Sequence, residues 1–430
     1  MARVPQPLFD TYSRFKELNF FNLSAEHPSV RDFLQQLPAE LQAVDGYQAV
    51  RSFLKSYSGN EATFTSYRTH VERMLLWALL EARVPLLKMR RSHGEQFIHF
   101  CHSPVQGWIG PVVKSRFIRQ GGRKIKDTDT YLVNPDWRPF SVTIAKSERK
   151  SATEAGVEPQ VTTYNMSQGS KSQVFAVCGS FFQFAIQEGL TDVNPIQSIK
   201  QKSQYIQRAS ADSSGRSLTH LQWEFVIETA EQMAKEDPEH ERTLFILVTM
   251  FSMYLRVSDI AGRVNWMPTM GDIRKDSNGD WFLHVVGKGN KVGKISVKDE
   301  YVQVYLPRYR KHLNLSPLPA PFEKTPLLAT LKGRAGLSDR HLRLLLQKVF
   351  DRAVEQMKLE DRTTDEIAQL RSASLHWLRH TSATFDAPYR DMKDLQADLR
   401  HEQMSTTQDV YYNSIDLQRA RSMKGLKIKK

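Results

Sequence analysis

The run LFILVTMFSMYL, residues 244–255, constrains the fold of this chain more than any other stretch. Its twelve residues are too few to cross a bilayer, for which about twenty are needed, so it reads as a helix buried inside a protein core. Thr219 precedes it as the cap of an amphipathic helix, HLQWEFVIETAEQMAKE. From there to residue 420 the order is helix, buried helix, hairpin, helices, with no alternation of strand and helix. The fold class is therefore mainly α with a small β-sheet (α+β).

Upstream, residues 1–45 are mixed and form an arm to which the sequence assigns no role. From Tyr47 to Val84, helical spacing with Tyr67, Val71, Leu75 and Ala78 on one stripe predicts two helices. A further helix over about Ser170–Glu188, striped by Val174, Val177, Phe181 and Phe184, is closed by Gly189 and the Asn194-Pro195 stop, and should pack on the first block. Between them, residues 105–165 read as strands, turns and loops. The Ser/Gly-rich stretch QRASADSSGRS, residues 207–217, reads as a linker. These boundaries give a helical domain over 46–206, a second domain over 218–415 and a tail over 416–430.

Composition bears on the partner. Against 47 Asp+Glu stand 60 Lys+Arg, a formal charge of +13 that favours nucleic acid or an anionic surface. The N-terminus has no stretch suited to a secretory signal and only Cys101 and Cys178 occur, which places the expected location in the cytoplasm, with no membrane association. KSRFIRQGGRKIK concentrates Lys114, Arg116, Arg119, Arg123, Lys124 and Lys126 without an acid, either as a phosphate-contacting loop or as a solvated basic one.

Four segments carry residues suited to chemistry on an anion. MYLRVSDIAG sets Arg256 and Asp259 three apart at the polar end of the buried helix, where packing would hold the guanidinium in place for a phosphate. WFLHVV and KISV, separated by GKGNK, predict a hairpin with Lys288 near its tip, and Lys291 and Lys294 lie close by. LHWLRHTSAT puts His376 and Arg379 on one helix face with Leu375, Leu378 and Ala383 toward the core, and leaves His380 pointing elsewhere. Finally, His401 follows RDMKDLQADL and precedes STTQDVYY, in which Ser405 or Thr406 can cap a helix bearing Tyr411 and Tyr412. A tyrosine hydroxyl, with a pKa of about 10, needs positive charge and a base nearby to act as a nucleophile. Each signal alone has an ordinary structural explanation. HFCH, residues 99–102, lacks a second ligand pair for zinc, and GKGNKVG lacks the ending of a nucleotide phosphate loop.

Taken in order, Arg256, Lys288, His376-x-x-Arg379, His401 and a tyrosine ten residues later resemble the tyrosine recombinase (phage integrase) family, over roughly residues 218–415. QVFAVCGSFFQFAIQEGLTDVNPIQSIK is similar to the second half of that family's helical core-binding domain, and together with TSYRTHVERMLLWALLEA it implies a two-domain clamp on duplex DNA, with 105–165 as an insertion. By this resemblance Arg256 and Arg379 bind the non-bridging oxygens of the scissile phosphate, Lys288 protonates the leaving 5′ oxygen, and His376 helps deprotonate the nucleophile. His401 hydrogen-bonds the phosphate, Asp259 orients the arginine pair, and Tyr411 forms a 3′-phosphotyrosyl intermediate. No metal or cofactor is implied.

The ten-residue spacing from His401 favours Tyr411 and leaves Tyr412 as an alternative. A Gly usually precedes the third-box histidine in the family; here Arg400 adds a phosphate contact or alters the turn. The implied function is site-specific recombination for a mobile element, by a homo-tetramer on DNA with accessory DNA-bending or element-encoded partners allowed. The tail, with Ile415, Leu417, Ala420 and Met423 at helical spacing, reads equally as a segment exchanged between subunits or as a frayed basic end. A type IB topoisomerase and a non-catalytic DNA-binding regulator are the alternatives, the second disfavoured by the intact set of site residues.

Overall fold

The computed structural model describes residues 4–17, 27–122, 124, 129–142, 144, 148–149, 152–153, 156–157, 164–199, 204–205, 217–262, 266–287, 292–405 and 407–408. The chain divides into two compact units, Met1–Ser210 and Ala211–Lys430.

In the first unit the predicted helices form at Ala43–Lys55, Glu61–Trp77 and Gln168–Gln187, joined by Arg91–His102. Side chains fix their starts, an arrangement that satisfies otherwise unpaired N–H groups. Asn60 accepts the Thr63 N–H at 3.0 Å. Ser167 accepts the Ser170 N–H at 3.2 Å. Gly189, at φ +68°, supplies the left-handed turn that ends Gln168–Gln187. Val71, Leu75, Ala78, Val174, Val177 and Phe181 are all buried in one core, with Tyr67 and Phe184 packed against it. The edge of the Phe53 ring meets Phe181 at 5.5 Å, joining Ala43–Lys55 to Gln168–Gln187 as the stripes predict.

The described residues among the first 45 share that core rather than hanging from it. Short helices at Tyr12–Glu17 and Pro28–Gln35 contribute, and Leu8 and Phe9 are wholly buried. Glu72 holds them there by accepting the Leu8 and Phe9 N–H groups at 2.7 and 3.1 Å. The 105–165 region carries two small sheets: β1 (Ile109–Gly110) runs parallel to β4 (Phe140–Ser141), and β2 (Phe117–Gln120) pairs antiparallel with β3 (Thr130–Val133).

The second unit opens on Thr219 and Gln222, which cap the helix His220–Glu236 reciprocally at 3.2 and 2.9 Å. The apolar run lies in the helix Glu241–Ser252, and Leu244 to Met250 are buried without a break. His220–Glu236, Leu306–His312, Asp339–Leu359 and Leu375–Asp386 pack around it. At roughly 1.5–3 kcal/mol per fully buried large aliphatic side chain, this helix and Asp339–Leu359, which buries Leu342, Leu346, Val349 and Val354, both contribute heavily to the unit's hydrophobic stabilisation. β5 (Ile273–Lys275), β6 (Trp281–Val286) and β7 (Val292–Ser296) form one antiparallel sheet in the order β5-β6-β7. Thr364–Ser372 and Met392–Leu399 also belong to the unit.

Candidate active site

The apolar helix stops earlier than its composition suggests. It ends at Ser252, Tyr254 takes a left-handed conformation at φ +51°, and Arg256 becomes the N-cap of a separate short helix, Val257–Ala261. Asp259 accepts the Arg256 N–H at 2.9 Å while its own N–H donates to the Arg256 carbonyl at 2.8 Å. The expected placement on one face of the buried helix is thus corrected: the two residues are three apart because they close the first turn of the next helix. What redirects the chain is Tyr254, whose ring is buried against Ala383, Ala387, Leu395 and Leu399 and whose hydroxyl donates to Asp386.

Arg379 projects from the helix Leu375–Asp386, whose Leu375, Leu378 and Ala383 face the core as predicted. Only 3% of Arg379 is exposed. One guanidinium nitrogen donates to the Tyr254 carbonyl at 2.6 Å and the other to the Leu399 carbonyl, so backbone from two other segments aims it. His376 is exposed on the same helix. His380, expected to point elsewhere, instead brings its Nε2 within 3.0 Å of the His376 Nε2. Their spacing of four places both on one face, a signal present in the sequence and outweighed there by the adjacency of His380 to Arg379.

The helix Met392–Leu399 delivers the next two groups. Asp391 caps its start, accepting the Lys393 N–H at 2.8 Å. Arg400 ends it in the left-handed region at φ +51° and ψ +47°, a conformation that favours glycine. Arg400 then donates to Asp259. Asp259, expected to orient the arginine pair, therefore holds the Arg256 backbone and the Arg400 side chain. His401 Nδ1 lies 3.0 Å from the hydroxyl of Thr407, which is fully buried. Residues 404 and 405 are already helical, which puts Ser405 inside that turn rather than at its cap; Thr406 lies outside the described residues.

The hairpin closes with Val286 opposite Val292, as the two apolar runs predict. Lys288 and Lys291 lie outside the described residues. Lys294 sits 4.0 Å over the Phe282 ring, an occupation that separates it from a turn lysine. β7 is tied to Met392–Leu399 by Asp398, which accepts the Ser296 N–H at 2.9 Å and the Arg390 guanidinium at 2.7 Å. A side chain built on Gly293 would come within 3.2 Å of the Arg400 Cδ, so the second strand of the hairpin passes directly beside Arg400.

These groups make a strongly electropositive site. Burial, and then the Arg256 and Arg400 charges, lower the pKa of Arg379 to about 9, against the opposing effect of Asp259. Burial also lowers His401 to about 4, reinforced by Arg379, Arg256, His380 and His376. At neutral pH the cluster offers guanidinium donors and a neutral imidazole with one nitrogen already engaged by Thr407. Such a set suits an oxyanion better than a cation or a neutral ligand.

Other expected residues are placed differently. Tyr411 and Tyr412 lie outside the described residues, as do Arg123 and Lys126 of the basic loop. Arg116 donates to the buried Glu72 and, at 2.9 Å, to the Phe9 carbonyl, whereas Arg119 donates to Asp129. The loop has no acid of its own, but acids 44 and 10 residues away meet these two guanidiniums. Lys114 and Lys124 are exposed. Cys101 of HFCH is buried, which raises its thiol to about 12, and among the described residues no group of His, Cys, Asp and Glu could hold a metal ion. Among the described residues, no helix is long and apolar enough to cross a membrane.

Comparison with known proteins finds similarity at the level of sequence and fold. The chain is 25% identical over 289 residues to the tyrosine recombinase XerC of Pelobacter propionicus, spanning 65% of this chain and 83% of that protein. The XerH site-specific recombinase in a post-cleavage complex with palindromic difH substrate superposes with a TM-score of 0.52 at 12% identity, over 98% of this chain and 99% of that one. The Tn1549 transposon integrase with transposon right end DNA gives 0.48 at 15% identity, over 87% and 98%. No protein-family model matches the chain.

Proposed function

We propose that this chain, a member of the tyrosine recombinase family by sequence and fold, is a site-specific DNA recombinase, an integrase or transposase of a mobile element, that cuts and rejoins duplex DNA through a 3′-phosphotyrosyl intermediate. The observation that carries this reading is the buried Arg379, aimed by two backbone carbonyls and crowded by Arg256 and Arg400, with Asp259 opposing them and with His401 set beside both Arg379 and Arg256. A guanidinium buried among like charges is costly, and a bound phosphate diester relieves that cost.

In this mechanism Arg256 and Arg379 hold the non-bridging oxygens and stabilise the charge of the pentacoordinate transition state. Tyr411 attacks phosphorus and becomes esterified to the 3′ side, while the 5′ oxygen departs with a proton from Lys288. His376 removes the tyrosine proton, with His380 3.0 Å away as a second imidazole on the same face. In this reading His401 is the tautomer that accepts the Thr407 hydroxyl at Nδ1, which leaves its Nε2–H to donate a hydrogen bond to the phosphate. Each step exchanges one phosphodiester for another, so no external energy source is required. The partner is double-stranded DNA, engaged by a homo-tetramer, an assembly that allows accessory DNA-bending or element-encoded proteins. Among the described residues of the basic loop, Lys114 and Lys124 are exposed and would meet the DNA backbone.

The test is a DNA duplex nicked near the cleavage site so that the released strand diffuses away. The wild-type chain should form a covalent adduct with it, Tyr412→Phe should retain the adduct and Tyr411→Phe should lose it. The opposite pattern moves the nucleophile to Tyr412, and no adduct from the wild-type chain overturns the reading.

A further inference from the structure

Arg400 stands at a position whose backbone favours glycine, at φ +51° and ψ +47°, yet its side chain is put to use. Its guanidinium reaches back to Asp259, the residue that caps the first turn after Arg256. Its aliphatic stem lies against Gly293 on β7, where any larger residue would press on it at 3.2 Å. One side chain, borne by the residue just before His401, thus bridges the arginine-bearing turn and the second strand of the hairpin.

Asp259 is also the acid that opposes the charge on Arg379. A carboxylate free to turn toward Arg256 and Arg379 would compete with a phosphate for the same donors. We propose that Arg400 is a positioning residue for strand cleavage: by holding Asp259 it keeps Arg256 and Arg379 available to the scissile phosphate, and by packing on Gly293 it sets the hairpin beside them. This inference rests on the recombinase reading above.

The experiment compares Arg400→Gly, Arg400→Lys, Asp259→Asn and the double variant Arg400→Gly/Asp259→Asn, using adduct formation on the nicked duplex together with thermal unfolding. Asparagine at 259 retains an oxygen for the Arg256 N–H but no longer competes as a charge. Glycine relieves the left-handed backbone and the buried Asp259 re-pairs with Arg256 and Arg379, so Arg400→Gly should unfold no earlier than wild type while its adduct rate falls by at least tenfold. Arg400→Lys should recover part of that loss. The double variant should form adduct faster than Arg400→Gly alone, because the competing carboxylate is gone. Wild-type adduct with an unchanged rate in Arg400→Gly overturns this inference alone, as does a loss of rate matched by earlier unfolding or left unrelieved in the double variant. A wild-type chain without adduct overturns the recombinase reading and this inference with it.

Discussion

Two buried arginines in the second unit, Arg310 and Arg379, have opposite surroundings. Arg310, 1% exposed, forks onto Glu323 with two bonds of 3.0 Å and donates to the Ser316 carbonyl at 2.6 Å. Arg379, 3% exposed, donates to two backbone carbonyls, and its charged neighbours include Arg256 and Arg400. The first charge is balanced by the protein that buries it. The second is opposed by Asp259 and crowded by two guanidiniums, and in the proposed reading a phosphate completes its balance, a contrast that burial alone does not reveal.

The sharpest way to break the comparison is to remove each side in turn. Arg379→Met should slow adduct formation by roughly 10²–10³-fold, the effect of losing a donor to transition-state charge. Its thermal midpoint should fall less than that of Glu323→Ala, since methionine leaves no buried charge behind. Glu323→Ala, by contrast, strands Arg310 and should cost about 3 kcal/mol, lowering the midpoint by roughly 6–12 °C in a unit of this size. A midpoint loss in Arg379→Met as large as in Glu323→Ala would erase the distinction.

Smaller effects sharpen it. Inorganic phosphate at ten times its Kd should stabilise the wild-type chain by about 1.4 kcal/mol in urea unfolding. That increment should persist in Glu323→Ala and vanish in Arg379→Met, which also controls for general salt effects. The smallest effect concerns His401, whose pKa is lowered to about 4 in the folded protein from 6.5. A depressed pKa favours the neutral folded form, so this contribution is complete above about pH 6.5 and is lost as pH falls from there through 4. His401→Asn should flatten that part of the acid limb in urea midpoints taken between pH 7 and 4, and an unaltered slope would count against charge crowding around this imidazole.

Periodic features of this fold were legible in the sequence, and turn-dependent ones were not. The helix capped by Thr219, the Gln168–Gln187 stripe and the β6–β7 hairpin follow from local spacing. The break after Ser252 does not, because Met253, Tyr254 and Leu255 are as apolar as what precedes them, and the left-handed Tyr254 is held by Asp386, 132 residues away. The same limit applies to Arg116, whose acid is 44 residues upstream. The site's residue types could be named because their order along the chain is distinctive. That Arg400 and His380 join them depends on which neighbours each side chain meets, which spacing alone does not specify.

The grip on Arg379 has a consequence for how such a chain can diverge. Its two anchors are the carbonyls of residues 254 and 399, groups that every amino acid carries. Substitution at either position can therefore alter packing without deleting the acceptor, and the aim of the guanidinium becomes a property of the backbone path rather than of particular neighbours. A lineage can exchange most of its side chains around such a centre and still hand the arginine on, pointed the same way.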